Sequence, residues 1–315
     1  MTMTVHLARL LALAVIFVNG WTDAPNAIAT AVGSGALSFR RGVWMAAACN
    51  FAGAALACSC FPAVADTIGE LVTFSDPRCA AAALNAALLS IVLWAAAAWR
   101  FGLPTSESHA LLAGLSGAAA ALGAGAAQLS AGAWLRALAG LALSLPAGAA
   151  AGRLFRPLLA GRVRRPAAWQ RGAAALTALL HGVQDGQKFL ALLLLTDGLG
   201  GEQSLSRLGL ALLTAVVMAL GTALGGRPIV EKVGSQLSSL SPAGGLAADL
   251  GAGVVLLVCS ALGLPASTTH AKVSAICGAG RGTDRRVMAQ MAGAWILTFP
   301  ACGGMAFLLT KVMMG

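Results

Sequence analysis

One short phrase occurs twice in this chain, about 161 residues apart, and it limits the possible folds more than any other feature. Its copies are Gly102-Leu-Pro-Thr-Ser-Glu-Ser-His-Ala110 and Gly263-Leu-Pro-Ala-Ser-Thr-Thr-His-Ala271. A second pair lies at nearly the same offset, Asn19-Gly-Trp-Thr-Asp-Ala-Pro-Asn26 against His181-Gly-Val-Gln-Asp-Gly-Gln-Lys188. The chain is therefore a duplication, and each half carries both motifs inside apolar surroundings.

The composition predicts an all-α polytopic membrane protein. Hydrophobic residues make up 58% of the 315 residues and charged residues only 10%, with a mean hydropathy of +0.81. Charged residues are about a quarter of an ordinary soluble domain. Runs long enough to cross a bilayer of about 30 Å, which needs roughly 20 residues, are predicted at 5–37, 43–65, 79–99, 105–127 and 131–152, and again at 172–197, 206–226, 244–262, 266–281 and 287–312.

Five segments per half is an odd number, so the second copy would be upside down relative to the first, as in many secondary transporters. We therefore predict two inverted repeats, residues 1–152 and 172–315, joined by a central Arg-rich cytoplasmic loop at 153–171. The run at 266–281 is short for a full span. Broken or re-entrant helices are expected there at the midplane and in its counterpart, 105–127.

The placement of charge follows a membrane and not a nucleic acid, despite the net charge of +10. With the N-terminus outside, the predicted inside loops hold most basic residues, namely Arg40, Arg41, Arg100, Arg153, Arg156, Arg162, Arg164, Arg165, Arg171, Arg227, Lys232, Arg281, Arg285 and Arg286. The outside loops and ends hold Arg9, Arg78, Arg136, Arg207 and Lys311. The positive-inside rule then predicts a multi-pass protein of the cytoplasmic membrane with both termini outside.

Several other classes of site are disfavoured. The seven cysteines have no metal-ligand spacing, so neither a disulfide nor a zinc site is expected, and no cofactor is predicted. No Gly-x-x-x-x-Gly-Lys-Ser/Thr phosphate loop occurs, which argues against an ATP-driven pump. The apolar run from Val5 to Val18 leads straight into the first motif, so it is expected to be the first span. Membrane lipid is an expected partner, and the sequence leaves a monomer and a homo-oligomer both open.

Asp23 and Asp185 occupy equivalent positions, each within a break, begun by a glycine, in an apolar run. A carboxylate inside a membrane costs about 2.5–3.5 kcal/mol, so it usually faces a cavity or a partner. One interpretation is a structural ion pair, for instance between Asp185 and Lys188. The other is a cation site for sodium, formed with nearby oxygen atoms, or a site where each aspartate takes up and releases a proton.

In the second pair of motifs, Ser106 and Ser267 follow a proline, where a helix is expected to begin. A serine there commonly caps the helix, yet the two clusters supply more donors than a cap uses: Thr105, Ser106 and Ser108 in one, Ser267, Thr268 and Thr269 in the other. Helix starts also attract anions. Two of them from inverted halves are expected to converge on one oxyanion, with His109 and His270 as packing or hydrogen-bonding residues.

The remaining ionisable residues considered in the apolar runs are Lys188, Lys272 and Glu107. Lys188 is expected either to contact an anion or to neutralise Asp185 when the site is empty. Glu107 and Lys272 lie in or just after equivalent motifs, so they are candidates to pair across the pseudo-twofold axis. Glu107 is also a candidate carrier of a proton.

Taken together, the motifs resemble those of the inorganic phosphate transporter (PiT) family over nearly the whole chain. The likeness includes the two repeated pairs, Asn26-Ala-Ile-Ala-Thr30, and Gly221-Thr-Ala-Leu-Gly-Gly226. It implies a symporter of inorganic phosphate driven by a sodium or proton gradient, with Asp23, Asn26, Asp185, Lys188 and the Ser/Thr clusters as site residues. The family's usual asparagine before each aspartate is Thr22 in one motif and Gln184 in the other, and Glu107 stands where a threonine is common. Hydroxyl and amide oxygens at these positions still suit a coupling cation, and the sequence leaves sodium and proton coupling both open.

Other functions remain as alternatives. Sulfate or another tetrahedral oxyanion would fit hydroxyl groups and helix starts as phosphate does. An intramembrane hydrolase could use Ser106 or Ser108 with His109, but a duplicated active site is needless for hydrolysis and natural for alternating access. A receptor that binds phosphate without moving it is a further alternative, although no loop suggests a signalling domain.

Overall fold

A computed structural model describes residues 2–60, 62–201 and 205–315 of the chain. The described part of the first half contains seven helices and a small antiparallel pair of strands, β1 (Val72–Phe74) and β2 (Ala127–Leu129). The helices are α1 (Thr2–Thr22), α2 (Asn26–Gly33), α3 (Phe39–Cys60), α4 (Ala63–Gly69), α5 (Pro77–Arg100), α6 (Glu107–Leu122) and α7 (Ala131–Leu159).

The second half repeats most of this order of elements. Its helices are α8 (Pro166–Gly198), α9 (Arg207–Leu224), α10 (Arg227–Glu231), α11 (Pro242–Ala261), α12 (Thr268–Ala279) and α13 (Arg285–Met314), with a π-helical turn at Lys232–Gln236. The two halves pack against each other through equivalent pairs of helices. Helix α6 lies against α13 as α12 lies against α7, and α3 lies against α8 as α9 lies against α1. This reciprocal packing agrees with a duplication, and the inverted orientation of the copies stays a prediction.

Six helical segments among the described residues are long and apolar enough to cross a membrane. They are Met3–Gly33, Pro77–Arg100, Ala131–Leu159, Arg207–Leu224, Pro242–Ala261 and Arg285–Met314. The helices at the second motifs are shorter. At 1.5 Å per residue, α6 and α12 are about 24 and 18 Å long, less than the ~30 Å hydrocarbon core.

The two aspartate motifs differ in backbone conformation, because the polar break in the apolar run interrupts the helix only at the first motif. At the first motif α1 ends at Thr22 and α2 begins at Asn26, because Pro25 has no N–H group and cannot continue α1. At the second motif α8 runs without interruption past Asp185. Glycine has a packing role there: a Cβ at Gly182 would lie 2.4 Å from the Asn50 carbonyl oxygen, so α8 and α3 approach closely.

The helix starts of the second motifs form as predicted. Gly102 and Gly263 have positive φ angles of 62° and 68°, which glycine adopts without steric cost. Each is followed by a short extended segment, and then by the cap of α6 or α12. The repeated Gly-Leu-Pro therefore turns the chain so that both helices begin inside the protein.

The Arg-rich segment 153–171 is mostly helical, and its prediction as a loop is wrong. Helix α7 continues to Leu159 and α8 begins at Pro166, so only residues 160–165 connect the halves. Basic residues in the last turn of a helix interact favourably with its dipole, and proline suits the first helical position. Arginine density here therefore did not mark an irregular segment.

The contact between α6 and α13 gives a prediction about stability. A Cβ at Gly117 would lie 2.0 Å from the backbone oxygen of Gly303, whereas a Cβ at Gly304 would meet nothing within 4 Å. We expect Gly117→Val to lower the thermal midpoint and the yield of monodisperse protein in detergent, since overpacking costs about 1–3 kcal/mol. Gly304→Ala should leave both unchanged. Equal midpoints for the two variants would contradict this packing.

Candidate functional site

The break between α1 and α2 places the Asp23 carboxylate against the start of α12. Its Oδ2 accepts a hydrogen bond from Thr268 Oγ1 at 2.9 Å and its Oδ1 accepts one from Thr269 Oγ1 at 2.5 Å. Asn26 Nδ2 donates to the same Oδ1 at 2.8 Å. Asp23 is only 3% exposed, so the carboxylate is held by residues from both repeats and kept from bulk water.

Glu107 is the first residue of α6 and lies beside Asp23. Its Oε1 accepts a hydrogen bond from Thr22 Oγ1 at 2.9 Å, and its Oε2 has no hydrogen-bond partner among the described residues. The start of α6 thereby brings a second buried carboxyl group to the helix break. Thr22 and Glu107 were both predicted as coupling-ion residues, and the fold brings them together.

Asp185 is part of a different arrangement, because it has a basic partner. Lys188 Nζ donates to Asp185 Oδ1 at 2.6 Å, Asn19 Nδ2 donates to Oδ2 at 3.0 Å, and His181 Nε2 lies 3.3 Å from Oδ2. The side chains of Asp185 and Lys188 are each 2% exposed. The ion pair between these two residues, one of the two interpretations of Asp185 from the sequence, is present.

Lys188 also reaches both helix starts. Its Nζ donates to Ser108 Oγ at 2.7 Å and to the Ala266 carbonyl oxygen at 2.6 Å. With Asp185, these contacts use all three donors of the ammonium group. Lys188 therefore lies between α6 and α12, the position where sequence reasoning placed an anion.

The two helix starts face each other directly. Thr269 Oγ1 lies 2.9 Å from the Thr105 carbonyl oxygen, and Ser108 Oγ donates to the Ala266 carbonyl oxygen at 3.2 Å. The rings of His109 and His270 stack edge to face with centroids 4.6 Å apart. These contacts relate equivalent motifs of the two halves, as the repeat predicted.

Ser106 and Ser267 act as helix caps. Ser106 Oγ accepts from the His109 backbone N–H at 3.4 Å, and Ser267 Oγ accepts from that of His270 at 3.2 Å. Ser108 bonds to Lys188 and to the Ala266 carbonyl group. A serine nucleophile would need a hydrogen bond to the His109 ring. In this geometry neither Ser106 nor Ser108 forms that hydrogen bond.

The charges of the cluster do not balance. One ligand atom each of Asp23, His181 and Asp185 lies within 4.8 Å of the others, so the two aspartates belong to one site. Lys188 pairs with Asp185, whereas the described residues provide no lysine or arginine ion pair for Asp23 or Glu107. Buried charge without a partner is strongly unfavourable, so a cation or a proton is required beside these two groups.

Two predicted placements are different in the structure. The Gln184 side chain is not hydrogen-bonded to Asp23, Glu107 or Asp185. Its Nε2 donates to the Leu264 carbonyl oxygen at 2.9 Å and its Oε1 accepts from Ser260 at 2.5 Å. It therefore supports the extended segment before α12. The proposed pairing of Glu107 with Lys272 is also wrong, because Lys272 forms an ion pair with Asp249 in α11.

Sequence reasoning missed Asn19, His181 and Asp249. Asn19 and His181 begin the two repeated motifs, and both contact Asp185; their equivalent positions were a signal that could have found them. Asp249 is a carboxylate within the apolar run 244–262, and the cost of burying it was the signal for a partner.

Comparison with known proteins assigns the chain to a family. A model described as the phosphate transporter family matches residues 19–169 and 166–306. The chain belongs to the phosphate transporter family. The resemblance found from the motifs is thus confirmed.

Several curated relatives carry the name "Probable low-affinity inorganic phosphate transporter". The one from Bacillus subtilis (strain 168) is 30% identical over 324 residues, which cover 96% of each chain. The one from Rhizobium meliloti (strain 1021) is 32% identical and covers 94% of this chain and 92% of its own. These relatives and the apolar helices establish a multi-pass membrane protein of this family.

A solved structure shows the same fold. The protein titled "The sodium-dependent phosphate transporter" superposes with a TM-score of 0.85, covering 100% of this chain and 99% of its own. Sequence identity is 19%. At that identity the similarity shows a shared fold. The roles of individual residues have to be argued from the local geometry.

Proposed function

We propose that this protein is a symporter of inorganic phosphate, driven by a sodium gradient. The observation that carries the proposal is the buried cluster in which two facing helix starts, α6 and α12, meet the unbalanced carboxyl groups of Asp23 and Glu107. Helix starts and hydroxyl groups suit an oxyanion, and adjacent carboxylates suit a cation. A site that binds both charges together is what coupled transport requires.

Phosphate would bind between the starts of α6 and α12. The hydroxyl groups of Thr105, Ser108, Thr268 and Thr269 and the amide of Asn26 are the candidate donors, while Ser106 and Ser267 hold the two helix starts in place as caps. Lys188 already contacts Ser108 and the Ala266 carbonyl oxygen at these starts. Its ammonium group is therefore positioned to become the main positive partner of the anion.

The contacts of Lys188 suggest how anion and cation binding are coupled. When Lys188 turns toward phosphate, Asp185 loses the partner 2.6 Å away. A carboxylate left buried without a partner is costly, and sodium can then neutralise it. A cation that replaces Lys188 beside Asp185, in the same cluster as Asp23, would then be bound only when phosphate is bound.

Asp23 and Glu107 form the second part of the coupling site. Hard oxygen ligands for sodium are available from these carboxyl groups and from the hydroxyl groups of Thr22, Thr268 and Thr269. The protein with the same fold is titled a sodium-dependent transporter, which favours sodium. Two neighbouring carboxyl groups can also share a proton, so proton coupling is the alternative that the experiment must separate.

Co-transport of cations has an energetic reason. Moving a dianion into a cell that is negative inside costs about 2.3 kcal/mol per charge for each 100 mV, or about 4.6 kcal/mol for two charges. Accumulation therefore needs cations to move with phosphate. The central site would open alternately to each side as the two inverted repeats rock against each other in the cytoplasmic membrane, with both termini outside.

The test is uptake of radiolabelled phosphate into liposomes that contain the purified protein. We expect an inward sodium gradient to drive accumulation at equal pH on both sides. Uptake driven only by a proton gradient in sodium-free buffer would transfer the coupling role to protons at Asp23 and Glu107. No uptake under either gradient, or sulfate uptake that competes equally with phosphate, would contradict the proposal.

A further inference from the structure

A second buried ion pair lies outside the cluster around Asp23. Asp249 in α11 and Lys272 in α12 are 0% and 1% exposed. Lys272 Nζ donates to Asp249 Oδ1 and, at 2.9 Å, to the Ala27 carbonyl oxygen in α2. Lys272 follows Thr269 by one turn of α12, so this pair lies one turn beyond the proposed anion site.

The surroundings of the ammonium group are rich in oxygen. Thr30 Oγ1 donates to Asp249 Oδ1 at 2.5 Å, and Asp249 Oδ2 has no hydrogen-bond partner among the described residues. Gln170 of α8 lies beside the same carboxylate. Carboxylate, hydroxyl and carbonyl oxygens are ligands that a hard cation takes in proteins.

Stability alone does not account for this pair. Replacing a buried ion pair by apolar residues of similar volume is often neutral or stabilising, because desolvation of the charges offsets their attraction. The surrounding side chains are otherwise well suited to an apolar core, with Val233, Ala248 and Ile276 buried in the neighbouring cluster. We therefore ask whether Asp249 and the positive charge beside it form an ion-binding site.

The site around Asp23 and Glu107 and the site around Asp249 differ in the source of their positive charge. Asp23 and Glu107 lack a lysine or arginine ion pair within the described part of the chain, so their positive charge must come from solution. Asp249 has its positive charge on a side chain of the protein itself. The oxygen ligands around the two positions are chemically alike.

We propose that the Lys272 ammonium group fills a cation site formed by Asp249, Thr30 and the Ala27 carbonyl group, and that a sodium ion can bind there when the ammonium group is removed. The lysine acts as a tethered cation that never leaves its site. It holds α12 to α2 and α11 in every step of transport, so Asp249 does not exchange a coupling ion.

The experiment compares variants for stabilisation by sodium. Thermal midpoints are measured in detergent without phosphate, in sodium chloride and in choline chloride of equal concentration. We expect Lys272→Met to gain a sodium-dependent rise of several degrees beyond that of the wild type, since a ligand that binds only the folded state raises its stability. Lys272→Arg keeps the tethered charge and should respond as the wild type does.

A double variant locates the effect. Lys272→Met combined with Asp249→Asn removes the carboxylate, and the additional response to sodium should disappear. If Lys272→Met is folded and responds to sodium no more than the wild type, the proposal is overturned. It is also overturned if this variant fails to fold in both salts, because sodium then cannot replace the ammonium group; folding in sodium chloride alone would support it. The readout needs no phosphate transport, so it stands apart from the test of the symporter.

Discussion

Replacing Lys188 by glutamine is expected to abolish phosphate uptake. The ammonium group bonds to Asp185 and to atoms at both helix starts, so it is the positive charge placed to meet the anion. Loss of one partner of a buried charge pair costs about 2–5 kcal/mol. At about 1.4 kcal/mol per factor of ten, phosphate binding should weaken by roughly 30- to 3,000-fold.

Initial rates of uptake into liposomes across a range of phosphate concentrations measure this effect. Lys311→Gln is the matched control, because this lysine lies exposed near the end of α13 and should retain uptake. Since Lys188→Gln leaves Asp185 uncompensated, the double variant with Asp185→Asn should recover folding but not phosphate binding. Undiminished uptake by a folded Lys188→Gln protein would remove the lysine from the anion site.

The sequence predicted most of the candidate site because the chain is duplicated. Each motif served as a control for the other: chance polar residues in an apolar run are not expected to recur at the same offset with the same spacing. The caps at Ser106 and Ser267 and the meeting of the two helix starts could therefore be predicted. Their partners across the repeats could not, because contacts such as Thr268 to Asp23 depend on how the halves pack.

The errors in prediction came from treating the repeats as more alike than they are. The first aspartate motif has Pro25 and the second has Gln187 at the equivalent position, so only the first interrupts its helix. A glycine near Asp185 was interpreted only as the start of a break in the apolar run, and its close packing against α3 was not anticipated. Asp249 was overlooked because one carboxylate barely changes the hydropathy of an apolar run, and its partner Lys272 was therefore assigned to the wrong residue.

Two of the buried carboxylates form ion pairs with lysine side chains of the protein. Asp249 has Lys272, and Asp185 has Lys188. The difference is that Lys188 also contacts the anion position, so its pair is the one that phosphate can disturb. Asp23 and Glu107 remain as the groups that need a cation or a proton from solution, which makes Asp23 the most informative position to change.

Asp23→Asn is therefore expected to eliminate sodium-driven uptake while leaving the protein folded and inserted. The amide keeps the size of the side chain and can still bond to Thr268 or Thr269, but it carries no charge to bind sodium. The loss should exceed about 100-fold, since removing one ligand charge from a desolvated site costs several kcal/mol. Asp66→Asn is the control, because the Asp66 side chain is 58% exposed and lies 3.8 Å from Arg207, a surface pair worth about 0–1 kcal/mol.

Exchange of phosphate without a sodium gradient separates coupling from binding in the Asp23→Asn variant. If Asp23 binds only the coupling cation, slow phosphate exchange should persist and become independent of sodium, and the thermal midpoint should lose its response to sodium. If exchange is lost together with uptake, while Glu107→Gln retains both, Asp23 must also orient Asn26 and Thr269 for the anion. Wild-type accumulation by Asp23→Asn would leave the Asp23 carboxyl group without a role in transport, and the coupling ion would then have to bind at Asp185 or Glu107.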